Sequence, residues 1–248
     1  MQEIEFKFQV PVKKRKALQK AFTLLKAEPI HLAAQYFDTA DQTLAKHCIA
    51  IRRRQENDEW KQTFKAVNSA KVLSRLELEF DIAPPETTTL DLHSYKDYPT
   101  VYKKLKCALG LPLPTLELLF ETNIQRLRIL QDVGNSTVEI ALDIGKIFEA
   151  QNNVDIFEIE FELKQGSIED LIAFIRPWVQ KYQLSLDTHS KSDYGLLAVR
   201  QQSYFSAQYQ TPLVLNRSSS EVEALQSIVA NCLQHLLPNA SSIARQQY

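Results

Sequence analysis

Glycine is scarce in this 248-residue chain, with only Gly110, Gly134, Gly145, Gly166 and Gly195 present. None of them builds a G-x-x-x-x-G-K-[ST] loop or a G-x-G-x-x-G turn. A phosphate ligand would therefore have to be held by side chains rather than by a backbone cradle. No G-x-S-x-G elbow occurs either. The five histidines (31, 47, 93, 189 and 235) show no zinc-ligand spacing and read as surface or core residues. Cysteine is limited to Cys48, Cys107 and Cys232, too few and too widely spaced for a disulfide frame, which predicts free thiols in a reducing compartment. No run of about 18 apolar residues exists to cross a bilayer as a helix. The opening Met-Gln-Glu-Ile-Glu has neither the basic nor the apolar region of a signal peptide. The expected location is the cytoplasm, with no membrane partner. An excess of either charge is missing too. With 29 basic and 30 acidic residues the net charge is −1, so no global field attracts nucleic acid, and any basic site must be local.

What the chain has is alternation. Hydrophobic residues make up 44% of it, enough for a substantial core in one large domain, or in one domain plus a piece of another. Glu3, Glu5 and Lys7 alternate with Ile4 and Phe6. In a strand, successive side chains point to opposite faces, so one face is charged and the other apolar. The pattern recurs in 49–55, where Arg52 and Arg54 share a face and Arg53 takes the other, and in 59–66, with Lys61, Thr63 and Lys65 opposite Trp60 and Phe64. It returns in 73–82, with Arg75, Glu77, Glu79 and Asp81, and in 116–133, with Arg126 and Arg128. The segment 137–144 carries Glu139 and Asp143, and 156–164 carries Glu158, Glu160, Glu162 and Lys164. A further strand is expected over 31–39. Asn57-Asp58, Asn68-Ser69 and Gly134-Asn135 mark turns.

Helices punctuate these strands. Pro11 can open one whose apolar positions are Leu18, Ala21, Phe22 and Leu25. Short helices are expected over 40–46 and 102–109, the latter stopping at Gly110 and Pro112. Ser167 caps the next, with Asp170 three residues on. Another covers 191–202. Residues 203–218 read as a linker. The last helix, 221–237, has an apolar stripe that a lone helix cannot bury, so it packs on the domain, on a second copy, or within a further helical region.

The charged faces are mostly ionic and use both signs, where a merely wet face would mix in Thr, Ser and Gln. Closing such a sheet with its apolar face outward under helices gives an α+β fold: an antiparallel β-barrel with a charged lumen. A lumen of protein charges alone is costly to desolvate. A ligand needing both kinds of group accounts for it: arginines and lysines match phosphate oxygens, and clustered carboxylates hold a hard divalent cation such as Mg²⁺. An outer-membrane barrel is excluded by the interrupting helices and the lack of aromatic girdles.

Glu3-x-Glu5-x-Lys7 resembles the E-x-E-x-K signature of the CYTH family, the triphosphate tunnel metalloenzymes. The resemblance spans about residues 1–202 and includes Tyr36-Phe37-Asp38-Thr39, Arg52-x-Arg54, Lys65, Arg75-x-Glu77-x-Glu79, Arg126-x-Arg128, Asp143, Glu158-x-Glu160-x-Glu162 and Ser190-Lys191, in the family's order. It implies an eight-stranded antiparallel tunnel with flanking helices. It also implies that Lys7, Arg52, Arg54, Lys65, Arg75, Arg126, Arg128 and Lys191 bind phosphates. Glu3, Glu5, Asp143 and Glu158 and Glu160 would bind Mg²⁺ or Mn²⁺, with Glu77, Glu79 and Glu162 as further acidic ligands. Glu3, Glu5, Lys7 and Lys65 would be catalytic. Which two of Glu158, Glu160 and Glu162 touch metal is left open, because all three share a face. Similar bacterial members often place an Arg before the glycine of the last helix, where this chain has Tyr194-Gly195. Residues 219–248 resemble the opening helix of a CHAD domain, a module associated with polyphosphate.

The implied activity is metal-dependent hydrolysis of a triphosphate, foremost inorganic triphosphate. The alternatives are a class-four adenylyl cyclase or a thiamine or nucleoside triphosphatase in the same tunnel, and a non-enzymatic polyphosphate-binding module. The final helix is a candidate route to an oligomer.

Overall fold

The computed structural model describes residues 4–67, 75–150 and 152–245. Glu3 and the side chain of Arg75, both expected in the site, lie outside what is described. The chain forms β1 (Glu5–Gln9), α1 (Val12–Leu24), β2 (Glu28–Asp38), α2 (Thr43–Lys46), β3 (Ile49–Glu56), β4 (Glu59–Val67), β5 (Arg75–Ile82), β6 (Thr89–Leu90) and α3 (Pro99–Leu109). It continues through β7 (Leu116–Val133), β8 (Ser136–Phe148), β9 (Asn153–Gln165), α4 (Ile168–Tyr182), β10 (Ser185–Leu186), α5 (Lys191–Val199) and α6 (Glu221–Ala244). All paired strands are antiparallel, in the order β10-β1-β9-β8-β7-β2-β3-β4-β5, with β6 on β7.

Local chemistry sets these elements. Pro11, which lacks an N–H, precedes α1, and Pro99 opens α3. Ser167 accepts the Asp170 N–H at the start of α4, as its sequence implied. The β3–β4 turn holds Asn57 at φ 54°, and Gly134, at φ 60°, turns β7 into β8 between the paired residues Val133 and Ser136.

The apolar face of the sheet is covered at two places. Phe8, Val138, Ile140, Leu142, Ile159 and Phe161 pack under α1 and α4 through Leu18, Phe22, Leu171 and Ile175. Ile51, Phe64, Leu116 and Phe37 pack with Leu44 of α2, Tyr95, and Val101 and Leu105 of α3. Each cluster removes large apolar side chains from water, the dominant favourable term in folding.

Two expectations need correction. The eight long strands and the flanking helices are present, but the sheet is not a closed barrel among the described residues. β1 pairs with β9 along one edge. Its other edge is taken by β10, at Phe8 and Gln9, and by the Asp187 N–H, which donates to Lys7 O at 2.8 Å. That stretch of the edge is therefore already engaged by β10 and Asp187 rather than by β5. The charged face is also not charged throughout. Ile30, Leu32, Ala34 and Tyr36 of β2, Phe120 and Ile124 of β7, Ile147 of β8 and Ile156 of β9 form a third apolar cluster on it. Helix α5 lies on that cluster through Tyr194, and an added methyl at Gly195 would overlap the Phe120 ring. Alternation in β2 marks Ile30, Leu32, Ala34 and Tyr36 against His31, Ala33 and Gln35, but not that this apolar set shares a sheet face with Arg126 and Asp143.

Candidate active site

Cross-strand register assembles the charged face. Lys7 lies opposite Glu160, Glu158 opposite Asp143, and Asp143 opposite Arg126, so four adjacent strands contribute. Asp143 and Glu158 are buried, and Glu160 is nearly so. Oxygens of the three carboxylates lie within 4.8 Å of one another. Like charges this close are destabilising unless compensated. Lys191, at the first turn of α5, supplies the compensation. Its ammonium sits 2.7 Å from Asp143 Oδ2 and 2.9 Å from Glu160 Oε1, and donates also to Glu158. Arg126 closes the other side with Nε to Asp143 Oδ1 and Nη2 to Oδ2, both 2.7 Å, and a further bond to Glu160. Lys7 completes the group, donating to the His189 carbonyl, 3.5 Å from Glu158 Oε2 and 4.0 Å from Asp187 Oδ2.

The electrostatics follow from this packing. Burial alone would drive the Lys191, Arg126 and Lys7 cations toward neutrality. Their carboxylate neighbours outweigh it, and all three are held above their ordinary values. Burial likewise opposes ionisation of Glu160 and Asp143, and Lys191 and Arg126 reverse it, so both carboxyls are lowered. Glu158 goes the other way: burial, with Glu160 and Asp143 adding repulsion, pushes it up despite Lys191 and Lys7.

A second group lies on β3, β4 and β5. Arg54 Nη2 reaches Glu79 Oε2 and Glu56 Oε2 at 3.3 Å each, and Lys65 pairs with Glu77 at 3.0 Å. The Thr63 hydroxyl donates to Glu79 at 2.9 Å, and Arg52 donates weakly to Thr63 and to the Tyr36 hydroxyl at 3.4 Å. Burial and neighbouring Arg52 lower Arg54, with Arg126 of the first group adding repulsion. The two groups therefore share one electrostatic field.

The remaining sequence candidates stand apart from the three-carboxylate focus. Arg128 pairs with Glu28 at 2.7 Å, and Glu162 with Lys164 at 2.9 Å. Glu5 is directly opposite Glu162, and Glu162 opposite Glu139, so three carboxylates cross β1, β9 and β8 in one row, with Lys164 3.7 Å from Glu139. Of the three glutamates on β9, Glu158 and Glu160 meet Asp143, and Glu162 belongs to this second row. Sequence reasoning missed Asp187, the His189 carbonyl and Glu56, and named Tyr36 only within a motif, with no role. Asp187 and His189 lie in an irregular segment with no periodicity to mark them. Glu56 continues the Arg52-x-Arg54 alternation by one step, a signal that was available.

The donor set fits a hard divalent cation: three carboxylates converging from rigid strands around a point where the protein places a single ammonium. Nitrogen and sulfur donors of the kind zinc favours are not among them.

The CYTH domain family matches residues 1–193, and this chain belongs to that family. A protein of Haemophilus influenzae named inorganic triphosphatase is 32% identical over 206 residues, covering 79% of this chain and 55% of that protein, so the chain spans about half the length of that relative. Among solved structures, a Bacillus halodurans protein described as a candidate adenylate cyclase superposes with a TM-score of 0.55 at 21% identity, over 77% of this chain and 96% of its own. A Hippeastrum protein described as a candidate adenylyl cyclase with a dominant triphosphatase activity gives 0.51 at 16%, over 81% and 96%. These two likenesses concern the fold.

Proposed function

We propose that this chain hydrolyses a triphosphate, foremost inorganic triphosphate, with Mg²⁺ or Mn²⁺ held by Asp143, Glu158 and Glu160. The observation that carries the reading is the carboxylate focus ringed by Lys7, Arg126 and Lys191, with Arg52, Arg54 and Lys65 on the same face. One set suits a divalent cation, the other phosphate oxygens, and a metal-chelated polyanion calls for both. The family membership and the named activity of the Haemophilus relative support the same reading.

In this reading Lys7, Arg126 and Lys191 turn from their carboxylates toward phosphate oxygens, and Asp143, Glu158 and Glu160 would then be available to hold a divalent cation. Arg52, Arg54 and Lys65 hold the rest of the phosphate chain, Arg75 adds to them, and Arg128 stands at the margin. Guanidinium groups suit this because they stay charged when buried and match phosphate oxygens in pairs. The bound cation supplies charge neutralisation on the reacting phosphate oxygens. Glu5 and Glu162 on one side, and Glu77 and Glu79 on the other, keep the basic groups oriented and offer acceptors for water at the ends of the chain, and Glu3 is proposed to join the metal-binding acids. Phosphoryl transfer asks mainly for positioning and charge stabilisation, which a rigid sheet provides.

The test is phosphate release from inorganic triphosphate, ATP and thiamine triphosphate in parallel, with Mg²⁺, Mn²⁺ and EDTA. Metal-dependent release from inorganic triphosphate well above the other two supports the proposal. Cyclic AMP and pyrophosphate from ATP would replace it with a cyclase. Tight triphosphate binding without turnover in either metal would replace it with a binding module.

A further inference from the structure

Arg53 of β3 lies on the apolar side of the sheet, away from the charged face that takes Arg52 and Arg54. Its guanidinium stands over the Phe37 ring, 5.2 Å from the centre, and Nη1 donates to Thr87 O at 3.1 Å. Nε is buried without a partner. No carboxylate pairs with this arginine among the described residues. Arg54, the next residue, has Glu56 and Glu79. Burial lowers Arg53 from its ordinary value, and what opposes this is the Tyr95 phenol rather than an acid. A guanidinium does not release its proton to escape burial, so the charge stays uncompensated until an anion meets it. The polar groups beside it are also short of partners. Gln62, directly across on β4 and 4% exposed, donates to Ser94 Oγ at 3.2 Å, which leaves the Ser94 proton free to donate elsewhere. The Tyr95 hydroxyl is fully buried and closes no well-formed hydrogen bond.

A cavity of about 260 Å³, open to solvent, adjoins this group. Arg53, Gln62 and Ser94 give it a polar lining, and Ile82, Ala83 and Pro85 an apolar one. Asp91 also borders it. Its side chain is 70% exposed, and Oδ1 takes the His93 ring nitrogen at 2.6 Å and the His93 N–H at 3.0 Å, so its charge is spent on His93 and on solvent. We propose that this cavity binds a small organic carboxylate, with its head on the Arg53 guanidinium and the Ser94 hydroxyl and its apolar body on Ile82, Ala83 and Pro85. Guanidinium and carboxylate match in paired, charge-assisted hydrogen bonds. One guanidinium also balances one negative charge. A phosphate monoester, at about two charges, would leave the second without a cation and facing Asp91. A purely apolar ligand would leave Arg53 as it stands, and would add the loss of its remaining contact with water. The site lies across the sheet from Asp143, Glu158 and Glu160, and neither needs the proposed reaction nor contributes to it.

The probe is hexanoate, titrated against the full chain by saturation-transfer NMR, with hexan-1-ol as its uncharged counterpart at the same ionic strength. Hexanoate should bind at a single site, and the alcohol about tenfold more weakly or worse. Arg53→Met keeps an apolar stem near Phe37 and removes the charge, so it should weaken hexanoate by about tenfold or more. Ala83→Trp leaves the arginine in place and fills the cavity from an exposed position, and should have an effect of the same size. Circular dichroism checks that both variants keep the fold. Hexanoate that does not bind, that binds no more tightly than the alcohol, or that keeps its affinity in either variant would overturn the proposal. Hydrolytic activity has no part in the readout, so a failure here is separate from a failure of the proposed reaction.

Discussion

The Lys191 ammonium lies 2.7 Å from Asp143 Oδ2, and the same nitrogen serves Glu158 and Glu160. A buried group of three acids is thus balanced by a residue on a different element, the first turn of α5. Removing one partner of a buried ion group leaves uncompensated charge, which costs about 3–5 kcal/mol.

Lys191→Met tests this without reference to turnover. The variant should lose stability on that order in EDTA, read by urea denaturation. Mg²⁺ or Mn²⁺ should then raise its melting temperature more than it raises that of the unsubstituted protein, because the three carboxylates no longer share an ammonium. Equal metal shifts in both proteins would argue that the cation binds elsewhere.

Gly195 lets α5 lie against β7. A methyl group there would overlap the Phe120 ring, which is itself stacked on Tyr36 with centroids 4.5 Å apart and has little room to retreat. Gly195→Ala should cost about 1–3 kcal/mol by overpacking. Adding Phe120→Leu should recover part of that loss, so that the pair of changes costs less than their sum. Strict additivity would mean that the clash is relieved by another route.

Most strands could be read from alternation alone, since register needs only that one face be buried. β7, from Leu116 to Val133, has the limits its sequence suggests, and the charged residues of β8 and β9 share the face expected of them. Two things could not be read. β10 has two residues, too few for a period, yet it occupies the edge of β1 that a closed barrel would have used. The seat of α5 depends on Tyr36, Phe120, Ile147 and Ile156, which come from four strands and look in sequence like ordinary core. For the candidate site, residue types were legible and pairings were not: nothing local to Arg128 tells that it turns to Glu28 rather than to Asp143.

Asp38, in the Tyr36-Phe37-Asp38-Thr39 segment, is buried and has a structural task. Its carboxylate accepts the backbone N–H groups of Thr39, Leu44 and Ala45 at 2.7, 2.8 and 2.9 Å, tying the end of β2 to α2. Asp38→Ala would strand these donors, at a cost of about 1–3 kcal/mol. Asp38→Asn, which keeps one oxygen, should lose less. The ordering of the two in urea denaturation checks the assignment. An Asp38→Ala variant with unchanged stability would show that these backbone donors find other partners.

Tyr194 precedes the glycine of α5, and the structure brings an arginine to it from elsewhere. The Arg245 guanidinium lies 3.9 Å from the centre of the Tyr194 ring and also donates to Asp155 O at 2.8 Å. The Tyr194 hydroxyl donates to Asp187 Oδ2 at 3.0 Å, beside Lys7, and burial followed by repulsion from Asp187 holds that phenol in its neutral, donating form. The two contacts differ in worth. A hydrogen bond to a buried carboxylate contributes about 1.5–3 kcal/mol, and a cation over an aromatic face about 0.5–2. Tyr194→Phe keeps the ring and loses the hydroxyl, so it should destabilise by about 1.5–3 kcal/mol, and Arg245→Lys, which keeps a cation over the ring, should lose less than Arg245→Ala. The Phe variant should also leave Asp187 free to draw Lys7 toward itself, raising KM for triphosphate more than it lowers kcat if Lys7 meets substrate. A Tyr194→Phe protein of full stability and unaltered KM would show that Asp187 finds its partner elsewhere, and that the tyrosine serves only as a surface for Arg245.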